Sequence, residues 1–219
     1  MSVKVAVRVR PYNERELKAG MARCCVSMSG PSTALTEREG GEPRSFTFDY
    51  SFWSHDGFAL AADGTAVAEE GSTYADQAHV YNALGKQVLD NAWAGYHCCL
   101  FAYGQTGSGK SYSMVGYGTN EGIVPQACNE IFRRIQENKD ANNKFEVQFS
   151  MLEIYNEKVQ DLLDKQKSRQ GAGALKVREN KGEVYVQGLS KHPVDSFAAI
   201  ATKMEEGYMS RSIGATMMN

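Results

Sequence analysis

The sequence predicts an α/β fold in which a central mixed β-sheet is flanked by helices. Three observations point there. Val3, Val5, Val7 and Val9 alternate with Lys4, Ala6, Arg8 and Arg10, the period of two that marks a strand. The apolar run Cys98-Cys99-Leu100-Phe101-Ala102-Tyr103 leads directly into Gly104-Gln105-Thr106-Gly107-Ser108-Gly109-Lys110-Ser111. This is the phosphate-loop pattern G-x-x-x-x-G-K-[ST] in its strand-to-helix setting. Apolar stripes at helical spacing separate the strand-like segments, and interleaved strands and helices build α/β layers.

Taken in order, the first strand covers residues 3–9 and Pro11 stops it. Phe46-Thr47-Phe48-Asp49-Tyr50-Ser51-Phe52 alternates again, with aromatic residues, and predicts a second strand. The small and polar residues between Asp56 and Tyr74 predict an inserted surface loop. Val80, Leu84, Val88 and Ala92, joined by Tyr81 and Leu89, form the inner stripe of a helix. The run Cys98–Tyr103 predicts a buried strand. A further helix begins near Pro125 and turns Ile131, Phe132 and Ile135 inward. Residues 145–151 alternate as a strand, and Val159–Leu163 predicts a helical turn. Leu175-Lys176-Val177 and Val184-Tyr185-Val186 predict a hairpin about Asn180-Lys181-Gly182. Asp195 or Ser196 caps a last helix whose inner face is Phe197, Ile200, Ala201, Met204 and Tyr208.

Composition narrows the classes. With 219 residues, 42% hydrophobic and 23% charged, the chain has the balance of one globular domain. A formal net charge of −2 gives no global attraction to nucleic acid. The five cysteines lack any C-x-x-C spacing, which argues against a zinc knuckle or a disulfide framework and fits a reducing cytoplasm. The N-terminus leads straight into a strand, and no apolar stretch reaches the roughly 20 residues of a membrane span. No signal peptide and no membrane insertion are expected.

The glycine-rich segment carries the chemistry. Gly104, Gly107 and Gly109 let the backbone curl so that the amides of Gln105, Thr106 and Ser108 can converge, and a following helix start adds positive potential. Polyphosphate suits such a point. Lys110 would reach the β and γ phosphates of ATP or ADP, and the Ser111 hydroxyl would ligate Mg²⁺.

Several separate segments resemble one family. Val5-Ala6-Val7-Arg8-Val9-Arg10-Pro11, the stretch Phe101–Met114 and Leu152-Glu153-Ile154-Tyr155-Asn156-Glu157-Lys158-Val159-Gln160-Asp161-Leu162-Leu163 look like signature segments of the kinesin motor domain, in the same order. Phe52-Trp53-Ser54-His55 and Leu175–Asn180 most resemble the vesicle-transporting kinesin-three subfamily. The resemblance implies a P-loop NTPase of the kinesin type, a cytoskeletal, microtubule-dependent ATPase with MgATP or MgADP as ligand. It also implies that Arg8, Arg10 and Pro11 lie on one side of the adenine and Tyr112 on the other. Microtubules are the implied partner, with Lys158, Arg178 and Lys181 as contacts to tubulin's acidic surface. The basic run Lys165, Lys167 and Arg169 reads as a loop and is not among them.

Hydrolysis needs a positioned water and a γ-phosphate sensor as well as a cradle. The family's switch patterns, Ser-Ser-Arg-Ser-His and Asp-x-x-Gly, do not occur in this sequence. Ser210-Arg211-Ser212 is a decoy, because Ala215-Thr216-Met217-Met218-Asn219 resembles the residues just before the true motif. Residues 1–219 are therefore expected to be the N-terminal portion of a single motor domain, ending before switch I, with its C-terminal part missing, at most weak nucleotide affinity and no microtubule-stimulated turnover of its own. Cargo would attach elsewhere. The alternative is a catalytically inert, kinesin-derived module that binds microtubules or another partner.

Overall fold

The computed structural model describes residues 3–20, 23–37, 40–164 and 174–217. Lys165, Lys167, Arg169, Met218 and Asn219 lie outside them. The chain divides into two compact units, Met1–Ala127 and Cys128–Asn219.

In the first unit, β1 (Ala6–Val9) pairs in parallel with β5 (Tyr50–Trp53), placing Arg8 opposite Phe52. Asp49 sets this register. Its carboxylate accepts from the Val5 amide and from the Lys4 ammonium, each at 2.8 Å, and a fixed entry point prevents a one-residue slip. The strand predicted over residues 46–52 is therefore two. β4 (Arg44–Thr47) pairs antiparallel with β3 (Ser32–Leu35), which pairs with β2 (Val26–Ser29). Between β4 and β5 the Phe48 and Asp49 amides bond the carbonyls of Pro31 and Val5. Parallel and antiparallel pairing thus both occur, but among the described residues they lie in separate ladders of two or three strands.

The stretch expected to be a plain loop contains a hairpin, β6 (Phe58–Leu60) with β7 (Ala66–Ala68). The turn signal Asp63-Gly64 lay inside it: Asp63 accepts from the Thr65 amide at 2.9 Å. Asn120 then pins the tip, donating to the Gly64 carbonyl at 3.0 Å and accepting from the Ala66 amide at 2.8 Å.

The predicted helix over residues 80–92 is present. It comprises α2 (Gln77–Val80), a widened π turn at Tyr81–Gly85, and α3 (Lys86–Trp93). Asp76 caps it through the His79 amide at 2.7 Å. Val80 and Tyr81 join Phe52, Ala75 and Ile123 in the core, with Leu84 and Leu100 packed against them. The run Cys98–Tyr103 differs from expectation: it forms no strand, and only Leu100 reaches this core. Phe101 and Tyr103 are 78% and 96% exposed. Apolar content marks a segment fit for a sheet interior, but a strand exists only where a neighbour supplies the backbone bonds.

After the phosphate loop come α4 (Lys110–Met114), the short hairpin β8 (Gly116–Tyr117) with β9 (Asn120–Glu121), and α5 (Ile123–Glu137). Pro125 falls in the first turn of α5, where its missing N–H costs nothing.

In the second unit, the strand predicted over residues 145–151 is reduced to β10 (Gln148–Phe149), paired with β15 (His192–Pro193). The helical turn predicted at Val159–Leu163 is instead strand: β11 (Leu152–Tyr155) turns at Asn156-Glu157 into β12 (Lys158–Asp161). Asn156 and Glu157 adopt φ of 47° and 62°, the left-handed pair of a tight hairpin turn. Buried Asp161 fixes the exit, accepting from Leu163 N, Ser190 N and Ser190 Oγ at 2.7–3.0 Å. The predicted hairpin is formed by β13 (Lys176–Asn180) and β14 (Glu183–Gln187) around Lys181-Gly182. Ser196 caps α6 (Phe197–Met217) through the Ala199 amide at 3.2 Å. Ile200 and Met204 are buried on its inner face, whereas Tyr208 is 38% exposed. Among the described residues no helix is long and apolar enough to cross a membrane.

Candidate nucleotide-binding site

The loop between Tyr103 and α4 has a backbone that only glycine permits at its key positions. Gly104, Gly107 and Gly109 take φ of 150°, 80° and 95°. A Cβ on Gly104 would sit 2.5 Å from Ser108 Oγ. Lys110 bends back over the loop, its ammonium donating to the Gly104 and Gln105 carbonyls at 2.9 and 2.8 Å. A cation is thus held at the mouth of a glycine-lined turn. Ser111 is exposed one residue further along α4. α4 has five residues, too short for a full macrodipole, so the anion-attracting character rests on loop amides and Lys110 rather than on a helix end.

Arg8 sits behind this loop in a polar cluster. Its guanidinium donates to Ser54 Oγ at 2.9 Å, Gln77 Oε1 at 2.7 Å, Ser113 Oγ at 3.1 Å and the Ala75 carbonyl at 3.3 Å. It also lies 5.2 Å from the centroid of the Tyr112 ring, within cation–π range. Burial pulls the Arg8 guanidinium below its ordinary value and pushes the neighbouring Tyr74 phenol up to about 12. The Arg8 donors face protein acceptors and its guanidinium lies against the Tyr112 ring, so these two residues, expected on opposite sides of the adenine, stand side by side.

Arg10 reaches the loop itself. Its Nε donates to the Gly107 carbonyl at 2.7 Å. The other guanidinium nitrogens grip Glu16 at 2.7 and 2.6 Å, and Nη1 also donates to the Pro11 carbonyl. The fork holds the Glu16 carboxyl down at about 2. His55 Nδ1 lies 2.9 Å from the Arg10 carbonyl, and its ring meets Tyr12 edge-on at 4.9 Å.

The glycine turn, Lys110, Arg10 and the Arg8–Tyr112 pair therefore converge in the first unit. The kinesin motor domain family matches residues 8–219. The chain belongs to the kinesin motor domain family. It is 44% identical to Kinesin-related protein 1 of Dictyostelium discoideum over all of its length and 10% of that protein. It is 46% identical to Kinesin-like protein KIF13A of Homo sapiens, over 99% of this chain and 12% of that one. KIF13A, KIF1C and KIF1B are kinesin-three members, at 42–46% identity. A solved structure of KIF14 residues 391–755 with ADP, in complex with a microtubule, superposes with a TM-score of 0.81 at 38% identity, covering 95% of this chain and 55% of that one. A fast kinesin superposes with the same TM-score at 32% identity, over 100% of this chain and 55% of that chain. The chain thus spans about half of the solved kinesins and between a tenth and a fifth of the curated relatives named above.

The three cations singled out from the kinesin resemblance lie in the second unit, and all are exposed. Lys158 opens β12, Arg178 stands in β13 with its Nε 3.1 Å from Gln187 Oε1, and Lys181 occupies the hairpin turn. Two residues that the sequence did not single out belong to the site's framework. Glu16 was detectable, since Asn13-x-x-Glu16 is a capping-box pattern, and both of its bonds are present at 2.9 and 2.8 Å. Gln77 carried no signal, because a lone glutamine before an apolar stripe reads as a solvent-facing residue.

Proposed function

We propose that this chain is the nucleotide-binding half of an ATP-driven microtubule motor. The observation that carries the reading is the Gly104–Ser111 turn with Lys110 folded over it, in a chain of the kinesin family. The fit to a nucleotide is chemical: positive-φ glycines free loop amides to face an anion, and one ammonium sits among them. Gly104, Gln105, Thr106, Gly107, Ser108 and Gly109 would hold the phosphates of ATP or ADP through the backbone. Lys110 would trade its two carbonyl partners for β- and γ-phosphate oxygens, and the Ser111 hydroxyl would hold Mg²⁺, which neutralises phosphate charge when bound. Arg10, Pro11 and Tyr112 would flank the base, with Arg8 stiffening Tyr112 from behind.

Turnover also requires elements that orient water and sense the γ phosphate, and their patterns are absent from residues 1–219. Microtubule stimulation and movement are therefore proposed for the full motor. Lys158, Arg178 and Lys181 would meet the acidic tubulin surface and act mainly through salt-sensitive attraction. On that assignment the protein would act on the cytoskeleton.

The test is binding of a fluorescent ADP analogue to the full-length protein with and without Mg²⁺. Lys110→Ala should weaken binding about 10- to 100-fold, the range for a hydrogen bond to a charged group. Ser111→Ala should remove most of the Mg²⁺ dependence. Replacing Lys158, Arg178 and Lys181 together by alanine should flatten the salt dependence of co-sedimentation with microtubules and leave ADP affinity unchanged. A wild-type protein that binds no nucleotide, or a Lys110→Ala variant that binds equally well, would refute the reading.

A further inference from the structure

The geometry points to Glu16 as a positioning residue of the nucleotide loop: through a two-pronged grip on Arg10, it fixes the Gly107 peptide and so sets nucleotide affinity without touching the ligand. This rests on the nucleotide-binding reading above and names a residue that reading does not use.

The chain of contacts is short and directional. Both Glu16 carboxylate oxygens bond Arg10, at 2.7 and 2.6 Å. That pairing fixes the plane of the guanidinium, since two parallel bonds leave it no rotation. The remaining nitrogen, Nε, donates to the Gly107 carbonyl at 2.7 Å. A peptide plane is rigid, so turning the Gly107 carbonyl toward Arg10 turns the Ser108 N–H to the opposite side, where it donates to the Gln105 carbonyl at 3.2 Å and closes the loop. The Arg10 stem also runs beside Gly109, within 3.8 Å of where a Cβ there would stand. Arg10 therefore braces two of the three loop glycines, and Glu16 holds Arg10 still.

Glu16 is held in turn by α1 (Glu14–Lys18), where the Asn13 amide donates to its Oε2 at 2.8 Å and the Glu16 amide donates to Asn13 Oδ1 at 2.9 Å. The Arg10–Glu16 pair is only about one-quarter exposed on either side. Such a partly screened bidentate pair keeps its geometry better than a surface lysine contact would. Preorganising a phosphate-binding loop matters because each amide held in its bound direction is ordering that need not occur on binding.

The capping box supplies the control. Asn13→Ala removes the cap of α1 and leaves the Arg10 fork; Glu16→Gln keeps an acceptor for the cap but removes the charge that fixes Arg10. Full-length wild type, Glu16→Gln, Glu16→Asp and Asn13→Ala would be compared in three measurements. These are KM and kcat for MgATP with microtubules present, melting temperature, and hydrogen exchange of the loop amides without nucleotide. We expect Glu16→Gln and Glu16→Asp to raise KM about tenfold, equivalent to about 1.4 kcal/mol, with kcat within about twofold and faster exchange at residues 104–109. Asn13→Ala should lower the melting temperature and leave KM and loop exchange near wild type. An unchanged KM and unchanged loop exchange in both Glu16 variants would overturn the inference. So would equal effects of Asn13→Ala and Glu16→Gln on KM, which would reduce Glu16 to a helix cap. A wild-type protein without nucleotide affinity would overturn the nucleotide reading and this inference together. When the wild type binds normally, the two Glu16 variants bear on the positioning role alone.

Discussion

Gln77→Leu is the perturbation that most directly tests whether the seam behind the phosphate loop is a dry, fully bonded cluster. Gln77 is 7% exposed. Its amide donates to the Tyr112 carbonyl at 2.7 Å and to the Asn120 carbonyl at 3.1 Å, while its oxygen accepts from Arg8 at 2.7 Å. It thus ties β1, the middle of α4 and β9 to one side chain. Leucine has nearly the same volume and no polar atom. Two neutral bonds at about 1 kcal/mol each and one to a charged group at about 2 kcal/mol would be lost. Burying the added apolar carbon returns about 1 kcal/mol. The net destabilisation is about 3 kcal/mol, or roughly 6–12 °C in melting temperature for a domain of this size. Urea unfolding followed by tryptophan fluorescence measures it, with the slope of the transition checked for constancy. Gln77→Glu serves as the partner variant, because it keeps an acceptor for Arg8 while losing both donors. A Gln77→Leu protein within about 1 kcal/mol of wild type would show that water already satisfies these carbonyls and would refute a dry seam.

Two further outcomes follow from geometry. Glu130 is gripped by Arg133 at 2.7 Å and by Arg134 at 2.8 Å, and its carboxyl is held at about 2 against an ordinary 4.5. The folded value is depressed, so the contribution is complete above about 4.5 and lost as pH falls toward 2. Thermal melts should show Glu130→Gln less stable by about 1 kcal/mol at pH 7, with the gap closing between those two values. Gly116→Ala places a Cβ at φ 81° against the backbone of Asn120 and Gly122, neither of which can yield. It should cost about 3 kcal/mol or more, read as a drop in the urea midpoint, and a smaller loss would mean that the β8–β9 hairpin bends freely.

What the sequence disclosed and what it hid divide along one physical line. The glycine turn before α4, the Lys181-Gly182 hairpin, the Ser196 cap and the stripe of Val80, Tyr81 and Leu89 depend on residues near in the chain, and each is legible. Asn156-Glu157 and Asp63-Gly64 are also local turns, and recognising their left-handed chemistry would have turned a supposed helical turn and a supposed plain loop into the hairpins that form. The Cys98–Tyr103 segment differs from its sequence expectation for a non-local reason. Its apolar character is real, but strand pairing is a property of two segments, and no sequence window contains the second.

The same division explains why the bracing residues escaped notice while the residues they brace did not. In the proposed function the identity of the loop glycines and of Lys110 follows from the ligand, and so their pattern is readable in sequence. Glu16 and Gln77 act on that loop through Arg10, Arg8 and two carbonyls, so their identity follows from distances across the fold, 97 residues of separation in the case of Arg10 and Gly107. On the proposed function, a loop that opens its amides to a charged ligand has few side chains with which to hold itself, since glycine supplies none. Rigidity has to be imported from elements on either side, here from Arg10 just after β1 and from α1 through a forked ion pair, and from α2 through a buried amide. The energetic cost of a permissive backbone at Gly104, Gly107 and Gly109 is then offset by polar anchors outside the motif. Substitutions at those anchors should therefore change loop order more than they change the chemistry the loop performs.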